Sequence, residues 1–352
     1  TTINKSSSFQ NQVLYTGNSS TNAITGVGHQ PDWTWIKRRD GGNGYSNYLF
    51  DAVRGVNKGI SSNQANAEIT FNNGFNSFNS DGFTLGSNTV NPSATELNYS
   101  GGNYVSWNWL GANGTSANTD GSINSTVSAN TTSGFSIVKW SGTSATGTIG
   151  HGLGSVPKTV WVKSLANSEG MYTYWQPLGN DKQLLMSSTS SQGTTTLWNN
   201  STPTSSVFSV VNHSAVNGSG DYIAYCFADV QGYSKIGSYT GTSSEVFNYT
   251  GFKPRFILIK KASEGASWHL FDTSRTVSNG GNQLNKILFP NLGNAESDDN
   301  YNYVDAYSNG FRCFSGPGGQ GTETNKNGHT FIYMAFAEAP LVGTNNVPCT
   351  AR

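Results

Sequence analysis

The chain has 352 residues with 20 basic and 20 acidic side chains, so its formal net charge at pH 7 is zero. This balance excludes nucleic acid and anionic membranes as the main partners, because neither long-range attraction nor a basic patch is available. The 35% hydrophobic content lies in alternating, aromatic-rich runs that can fill a core, which argues against disorder of this Gly-, Ser- and Asn-rich chain.

A segment that recurs three times organises the chain. Each copy has a Gly after an aromatic strand, a second Gly shortly before a Pro, and a Lys six residues after that Pro. These positions are Gly17, Gly28, Pro31 and Lys37 in the first copy, Gly142, Gly154, Pro157 and Lys163 in the second, and Gly241, Gly251, Pro254 and Lys260 in the third. Spacing that holds across three copies predicts an array of related units of roughly 100 residues each.

Strand signals run through all three copies, and helix signals are nearly absent. Clear strands are expected at 104–107, 160–162, 222–227 and 256–259. In the strand that closes the first unit, alternation places Tyr104 on one face and Val105, Trp107 and Trp109 on the other. Short strands separated by Gly-rich turns predict an all-β protein made of three tandem antiparallel β-sandwich domains of jelly-roll or lectin-like type.

The domain boundaries follow from the repeats and from composition. We predict an N-terminal arm (1–10), repeat 1 (11–112), a polar linker (113–133), repeat 2 (134–230), repeat 3 (231–340) and a C-terminal tail (341–352). The Asn-, Ser- and Thr-rich linker is expected to join repeats 1 and 2 less rigidly than the short junction joins repeats 2 and 3. The arm and the tail are expected to be extended and are candidates for docking on a neighbouring subunit.

Cofactor signals are weak. The three cysteines are too few for a disulfide framework, and no Cys/His pair has zinc spacing. Asp298 and Asp299 are weak calcium candidates because they lack the alternating acidic spacing of a calcium loop. Residues 1–8 are polar, without the apolar region of a signal peptide, and no apolar stretch approaches the roughly 18 residues of a membrane helix. We predict no cofactor and no membrane insertion, and expect release by cell lysis.

Catalytic signals are also sparse, so the sequence predicts a protein that is not an enzyme. His29 and His151 precede the repeated Pro at non-equivalent positions, which favours ordinary loop histidines over a catalytic base. Asp51 and Asp272 are each followed three residues later by an Arg. They are either candidates for a glycosidase carboxylate pair or, as we favour, members of structural ion pairs.

Aromatic residues beside amides are the remaining candidates for a site. Trp198, Asn199 and Asn200 form an aromatic–amide run, and Trp33 and Trp268 add further indole rings. Such groups build carbohydrate or receptor platforms, in which the ring stacks on a sugar and amides bind its hydroxyls. The alternative is that the rings fill the core, which alternation favours for Trp35, Trp107, Trp109 and Trp161.

Six stretches resemble an uncharacterised domain family that is frequent in marine bacteriophages, including cyanophages and pelagiphages. They are the opening Thr1-Thr2-Ile3-Asn4-Lys5, the short run Tyr15-Thr16-Gly17, the runs at 26–32, 50–55 and 79–86, and the closing Tyr333-Met334-Ala335-Phe336-Ala337-Glu338. The resemblance covers roughly residues 9 to 340. Members tend to be encoded among virion structural genes and are often labelled tail-fibre-like or lectin-like. The resemblance therefore implies a place on the virion and carries no catalytic residues.

These observations predict a structural protein exposed on the phage particle: a tail-fibre, tail-tip or capsid-decoration component that aids attachment to the host surface. Its expected partners are other virion proteins, further copies of itself, and a host-surface glycan. The alternative is a lectin-like glycan-binding module, and a glycan depolymerase is the less favoured third reading. Divergent loops leave room for one repeat to have specialised as the binder.

Overall fold

The computed structural model describes residues 3–42, 44–87, 96–242, 244–276, 282–298, 304–315 and 321–340. The chain is all-β and consists of several antiparallel sheets, as the sequence predicted. Repeat 1 contributes β1 (Gln10–Thr16), β2 (Asn22–Ile24), β3 (Trp33–Arg38), β4 (Tyr48–Asp51), β5 (Lys58–Ser61), β6 (Ile69–Thr70), β7 (Phe75–Asn79), β8 (Gly82–Leu85) and β9 (Asn103–Trp109).

The middle of the chain contributes β10 (Ser116–Asn118), β11 (Ser125–Asn130), β12 (Phe135–Ser141), β13 (Gly147–Gly150), β14 (Thr159–Ser164), β15 (Tyr172–Trp175), β16 (Lys182–Leu185), β17 (Gly193–Thr194), β18 (Val207–Val210) and β19 (Asp221–Phe227). Repeat 3 contributes β20 (Ser234–Thr240), β21 (Glu245–Tyr249), β22 (Phe252–Lys261), β23 (Trp268–Asp272), β24 (Lys286–Ile287), β25 (Ser297–Asp298), β26 (Val304–Tyr307), β27 (Gly310–Phe314) and β28 (Thr330–Pro340). The helical segments of the described residues are the 3-10 turns Ser6–Ser8 and Gln176–Leu178 and the α-helix α1, Thr322–Asn325. None of the described helices has the length and apolar character needed to span a bilayer.

Each repeat pairs its strands in the same order. The larger sheets run β1-β9-β3-β4-β5-β6, β10-β11-β12-β19-β14-β15-β16-β17 and β20-β28-β22-β23, and the smaller sheets run β2-β8-β7, β13-β18 and β21-β27-β26. In repeat 1, Ile36 and Phe50 of the larger sheet pack against Phe75 and Phe83 of the smaller sheet. Corresponding clusters lie in the other two repeats. This packing gives the fold its β-sandwich character.

The opposite faces of the three larger sheets meet in one shared core. Trp33 stacks on Tyr225 of repeat 2 with ring centroids 4.6 Å apart, and Trp109 contacts Phe336 of repeat 3 at 5.5 Å. Phe227 and Phe336 complete the contact at 6.1 Å. The central strands are therefore buried on both faces, and the repeats pack around a common centre.

Backbone hydrogen bonds at equivalent positions close these contacts into a ring. The donor is the backbone N–H of the residue ten positions after the Lys that begins β5, β16 or β24. The acceptor is the carbonyl of the residue two positions after the repeated Lys of another repeat. The bonds are Glu68 N to Leu165 O (2.9 Å), Gln192 N to Ala262 O (2.7 Å) and Glu296 N to Arg39 O (2.8 Å). Repeat 1 thus binds repeat 2, repeat 2 binds repeat 3, and repeat 3 binds repeat 1, in a pseudo-threefold arrangement.

The two repeated positions require glycine for different steric reasons. A Cβ on the first would lie 2.0–2.2 Å from a backbone carbonyl oxygen in every repeat, which only a residue without a side chain allows. The second adopts positive φ in every repeat: +85° at Gly28, +67° at Gly154 and +81° at Gly251. The repeated sequence motif therefore marks the backbone geometry of the ring.

Two predicted segments differ from the observed structure. The predicted linker 113–133 carries β10 and β11, which pair with each other and with β12 and so extend the sheet of repeat 2. Its polar composition reflects strands with one exposed face. The predicted N-terminal arm also packs within its own chain, because Ile3 is 1% exposed and belongs to the shared core. The tail 341–352 lies outside the described residues.

Candidate functional site

The indole rings predicted as a sugar platform are buried. Trp33 and Trp268 are 0% exposed and Trp198 is 2% exposed. Trp198 Nε1 donates to Lys182 O at 2.9 Å, and Trp268 Nε1 donates to Leu185 O at 3.1 Å. A buried ring cannot stack on a ligand from solvent, so the platform prediction is wrong for these three rings and the core alternative holds.

The neighbouring amides do not form a site with the indole rings. Asn199 and Asn200 are exposed, with φ of 52° and 47°, in the turn that follows Trp198. This left-handed geometry is common for Asn in turns. The tryptophans assigned to the core, Trp35, Trp107, Trp109 and Trp161, are all 0% exposed, which confirms that prediction.

The carboxylates considered for catalysis form buried ion pairs, as favoured from sequence. Arg54 Nε donates to Asp51 at 2.5 Å, and Arg275 Nε donates to Asp272 at 2.6 Å. Each Arg also reaches a second acid, Glu68 at 3.2 Å and Glu296 at 3.0 Å. The Asp oxygen that accepts from the Arg Nε also accepts a hydrogen bond from the adjacent repeat, from Tyr225 Oη at 2.8 Å and from Trp107 Nε1 at 2.9 Å. These carboxylates therefore join the repeats.

The histidines before the repeated Pro are more buried than loop histidines were expected to be. His29 is 7% exposed and its Nδ1 lies 3.1 Å from Ser7 O, while His151 is 0% exposed and its Nε2 lies 3.1 Å from Thr204 O. Burial lowers the pKa of His29 to about 4 and also lowers the pKa of His151. Both contacts tie loop backbone into place.

The repeated Lys is a structural donor. Lys37, Lys163 and Lys260 are all 0% exposed, and burial lowers the pKa of each to about 8. Each Nζ donates to the carbonyl of a following loop, at Tyr45, Glu169 and Ala266 respectively. Lys260 also donates across the ring to Thr189 O at 3.0 Å.

Metal candidates gain no support from their surroundings. Lys286 Nζ binds the exposed Asp298 carboxylate at 2.6 Å, and Asp299 lies outside the described residues. Within the described part of the chain, His, Cys, Asp and Glu side chains form no group of three or more that would hold a metal ion.

A different surface presents exposed aromatic rings. In repeat 3 the edge strand β21 points Val246 and Asn248 inward and Glu245, Phe247 and Tyr249 outward. Phe247 is 47% exposed and Tyr249 is 61% exposed. Cross-strand register adds the outward residues of the two neighbouring strands. We call this surface the β21 face: Glu245, Phe247, Tyr249, Asp305, Tyr307, Arg312 and Phe314.

Arg312 holds the centre of the β21 face. Its guanidinium donates to Glu245 at 2.8 Å and to Asp305 at 2.6 Å. Its Cζ lies 5.6 Å from the centroid of the Tyr307 ring and 5.4 Å from that of Phe314, within cation–π range. The hydrogen bond to Asp305 raises the pKa of Arg312, so this side chain remains charged.

The rings themselves are supported from below. Phe247 meets Tyr307 edge to face at 6.0 Å, and its ring covers Gly310, where a Cβ would lie 2.8 Å from Phe247 Cζ. A shallow cavity of about 420 Å³ adjoins the face and is lined by Ser244, Glu245, Arg312, Phe314 and Ser315. The arrangement is a row of aromatic rings, of which Phe247 is packed against its neighbours, beside charged groups and an open cavity.

The other two repeats have neither the aromatic ring nor the charged side chain at the positions equivalent to Phe247 and Arg312. The cross-strand pair Phe247–Arg312 corresponds to Ala23–Thr84 in repeat 1 and to Thr148–Ser209 in repeat 2. The sequence did not predict this site because tryptophans were taken as the candidate stacking residues. The available signal was the alternation in Glu245-Val246-Phe247-Asn248-Tyr249. At the position of Phe247 the other two repeats have small side chains.

Comparison with known proteins gives one family. The fold and the site define an all-β protein with an exposed aromatic face on its third repeat. Residues 5–340 match the family described as a domain of unknown function, DUF7483, and the chain belongs to that family. One family model thus spans all three repeats, in keeping with their shared core. No curated protein and no solved structure matches the chain.

Proposed function

We propose that this chain is a non-catalytic surface protein of a phage particle that helps attach the particle to its host by binding a surface glycan. The observation that carries the proposal is the β21 face, where Phe247 and Tyr249 are exposed on an ordered edge strand beside Arg312. Large aromatic rings exposed side by side on a folded domain mark an interaction site.

Glycan is the ligand that suits this chemistry. Sugar rings have apolar C–H faces that stack on aromatic rings, and their hydroxyls both donate and accept hydrogen bonds. Glu245 and Arg312 supply an acceptor and donors at the edge of the rings. The low charged fraction of 11% leaves the surrounding surface without a strong field, which suits binding by contact rather than by long-range attraction.

The particle location rests on the sequence resemblance to phage virion proteins and is consistent with the closed ring. A chain whose three repeats bury one another's aromatic sheets is compact and protects its core, as a protein outside the cell requires. We further propose that the three sheet pairs are related sandwich domains of jelly-roll or lectin-like type. The fixed ring would serve as the scaffold and repeat 3 as the binder.

An enzymatic role has less support in the described residues. The buried carboxylates Asp51 and Asp272 are bound by arginines, and Glu245 and Asp305 are both bound by Arg312. Ser263 Oγ lies 3.1 Å from His329 Nδ1, but no described acidic group hydrogen-bonds to that imidazole to orient it as a base. We therefore favour binding without turnover.

The binding test uses isothermal titration with purified host-envelope polysaccharide. Phe247→Ala/Tyr249→Ala is expected to weaken binding by roughly tenfold per ring, the effect of about 1.4 kcal/mol at each contact. The matched control is Tyr99→Ala, which removes a ring of 46% exposure from repeat 1 and should leave affinity unchanged. Unaltered binding by the double variant, or equal loss in the control, would refute the assignment of the face.

The location test is separate. Purified particles are imaged at side-chain resolution and the chain is fitted to the density of the tail and capsid. Ordered copies whose β21 faces point outward would support the attachment role. Particles without the chain would refute the virion location and leave the glycan measurement standing.

A further inference from the structure

We infer that the β21 face takes a neutral, extended oligosaccharide that lies along β21 and contacts Phe247 and Tyr249 with successive sugar units. This inference rests on the proposed glycan binding and specifies its ligand class. Its three supports are the charge balance of the face, the spacing of its two exposed rings and the packing that holds Phe247 and Arg312 in place.

The charge balance disfavours acidic sugars. Glu245 and Asp305 carry two negative charges against the single positive charge of Arg312, and the guanidinium is bound to both carboxylates. Glu245 has 58% of its side chain exposed, whereas Arg312 has 33%. An acidic glycan would approach the exposed carboxylate and find the cation already paired, which costs Coulomb energy and desolvation. A neutral sugar has no such cost.

The ring spacing favours an extended chain. Phe247 and Tyr249 lie two residues apart on the same face of one strand, so their attachment points are separated by about 7 Å along the strand. β21 is an edge of its small sheet, and Phe247 and Tyr249 are 47% and 61% exposed, so the path along these rings is open to solvent. Two stacking positions in line along a strand match neighbouring units of a chain better than one terminal sugar.

Phe247 and Arg312 are also held in place before a ligand arrives. Phe247 rests on Gly310 and against Tyr307, and Arg312 lies against Tyr307 and Phe314. Groups fixed in the free protein lose less conformational entropy on binding. The same packing makes the position of the Phe247 ring a property of the fold.

The experiment compares two probe series by isothermal titration with the full chain: neutral β-linked glucose oligomers and galacturonate oligomers of matched length. We expect the neutral series to bind, with affinity rising from one sugar to several, and the acidic series to bind at least roughly tenfold more weakly, the equivalent of about 1.4 kcal/mol. Phe247→Ala and Tyr249→Ala should each remove the gain from the longer oligomers. Glu245→Gln should narrow the difference between the two series.

The outcomes separate the inference from the proposed function. Stronger binding of galacturonate oligomers that still depends on Phe247 and Tyr249 would overturn the neutral class and leave glycan binding intact. Equal affinity for one sugar and for longer oligomers would overturn the extended mode. Failure of both series, together with failure of host-envelope polysaccharide, would overturn the inference and the glycan function together.

Discussion

Replacing Arg275 by Met tests whether the buried ion pairs secure the ring. Arg275 is 2% exposed and donates to Asp272 at 2.6 Å, to Glu296 at 3.0 Å and to Leu270 O at 3.0 Å. Methionine keeps much of the apolar stem but removes every donor. Asp272 then retains Trp107 Nε1 and two backbone N–H groups and loses its counter-charge.

The expected cost follows from leaving a buried carboxylate without its partner. Removing one member of a buried pair typically costs about 3–5 kcal/mol, much more than the pair contributes over an apolar replacement. Glu296 keeps Arg39, which donates to both of its oxygens at 2.9 Å, so the loss falls mainly on Asp272. We therefore expect the free energy of unfolding to fall by about 3 kcal/mol, the lower end of that range.

The assay is equilibrium urea unfolding followed by tryptophan fluorescence, with the midpoint compared at constant slope. Lys286→Met is the matched control, because its ion pair with Asp298 is solvent-exposed and should cost less than about 1 kcal/mol. Asp272→Leu/Arg275→Leu should recover part of the lost stability, since both charges leave together. If Arg275→Met costs no more than the control, the reasoning about the buried network is refuted.

Three further predictions concern the same scaffold. The whole chain should unfold in one transition, because the repeats share a core; separate transitions seen by fluorescence and circular dichroism would contradict this. Gly82→Ala should cost more than about 1 kcal/mol, since φ is +141° and a Cβ would lie 2.0 Å from Ile24 O, whereas Gly114→Ala, in open space, should be nearly neutral on thermal unfolding. The lowered pKa of Lys163, about 8, means that the unfolded chain binds more protons above pH 8. Lys163 should therefore make the free energy of unfolding rise between pH 8 and 9. Lys163→Met should reduce this rise when unfolding is measured at several pH values.

The sequence predicted the strands well and the arrangement of the repeats less well. Alternation correctly placed Val105, Trp107 and Trp109 on one face of β9, because a strand's side chains alternate whatever surrounds it. It did not reveal that Tyr104 on the opposite face is also buried, since burial of both faces depends on how the sheets pack. The closed ring was missed for that reason.

The site was missed for a related reason. Tryptophan is the usual sugar-stacking residue, but here the indole rings are buried in the shared core. Trp33 alone lies within 6.1 Å of six other aromatic rings. Phe247 and Tyr249 are ordinary strand residues by composition. The alternation within β21 separates its two faces, but only the folded structure shows that Phe247 and Tyr249 lie on the exposed face.

The three inter-repeat contacts have diverged in a coordinated way. Where a repeat supplies an Asp–Arg pair, the adjacent repeat supplies a hydrogen-bond donor, Tyr225 or Trp107. In repeat 2 the Asp position holds Trp175, and the position equivalent to those donors in repeat 3 holds Met334. The position whose side chain binds the Arg changes as well. It holds Glu68 or Glu296 where the Arg is present, and the uncharged Gln192 where the Arg is absent.

This coordination explains why the interface positions differ between repeats in matched sets, whereas the outward positions differ independently. A charge buried between the repeats without its partner would cost about 3–5 kcal/mol, so interface positions can change only together. The outward positions of the small sheets have no such coupling. Ala23 and Thr148 occupy the same place as Phe247, and any of these side chains is compatible with the ring. Repeat 3 could therefore acquire an aromatic face without disturbing the scaffold that holds it.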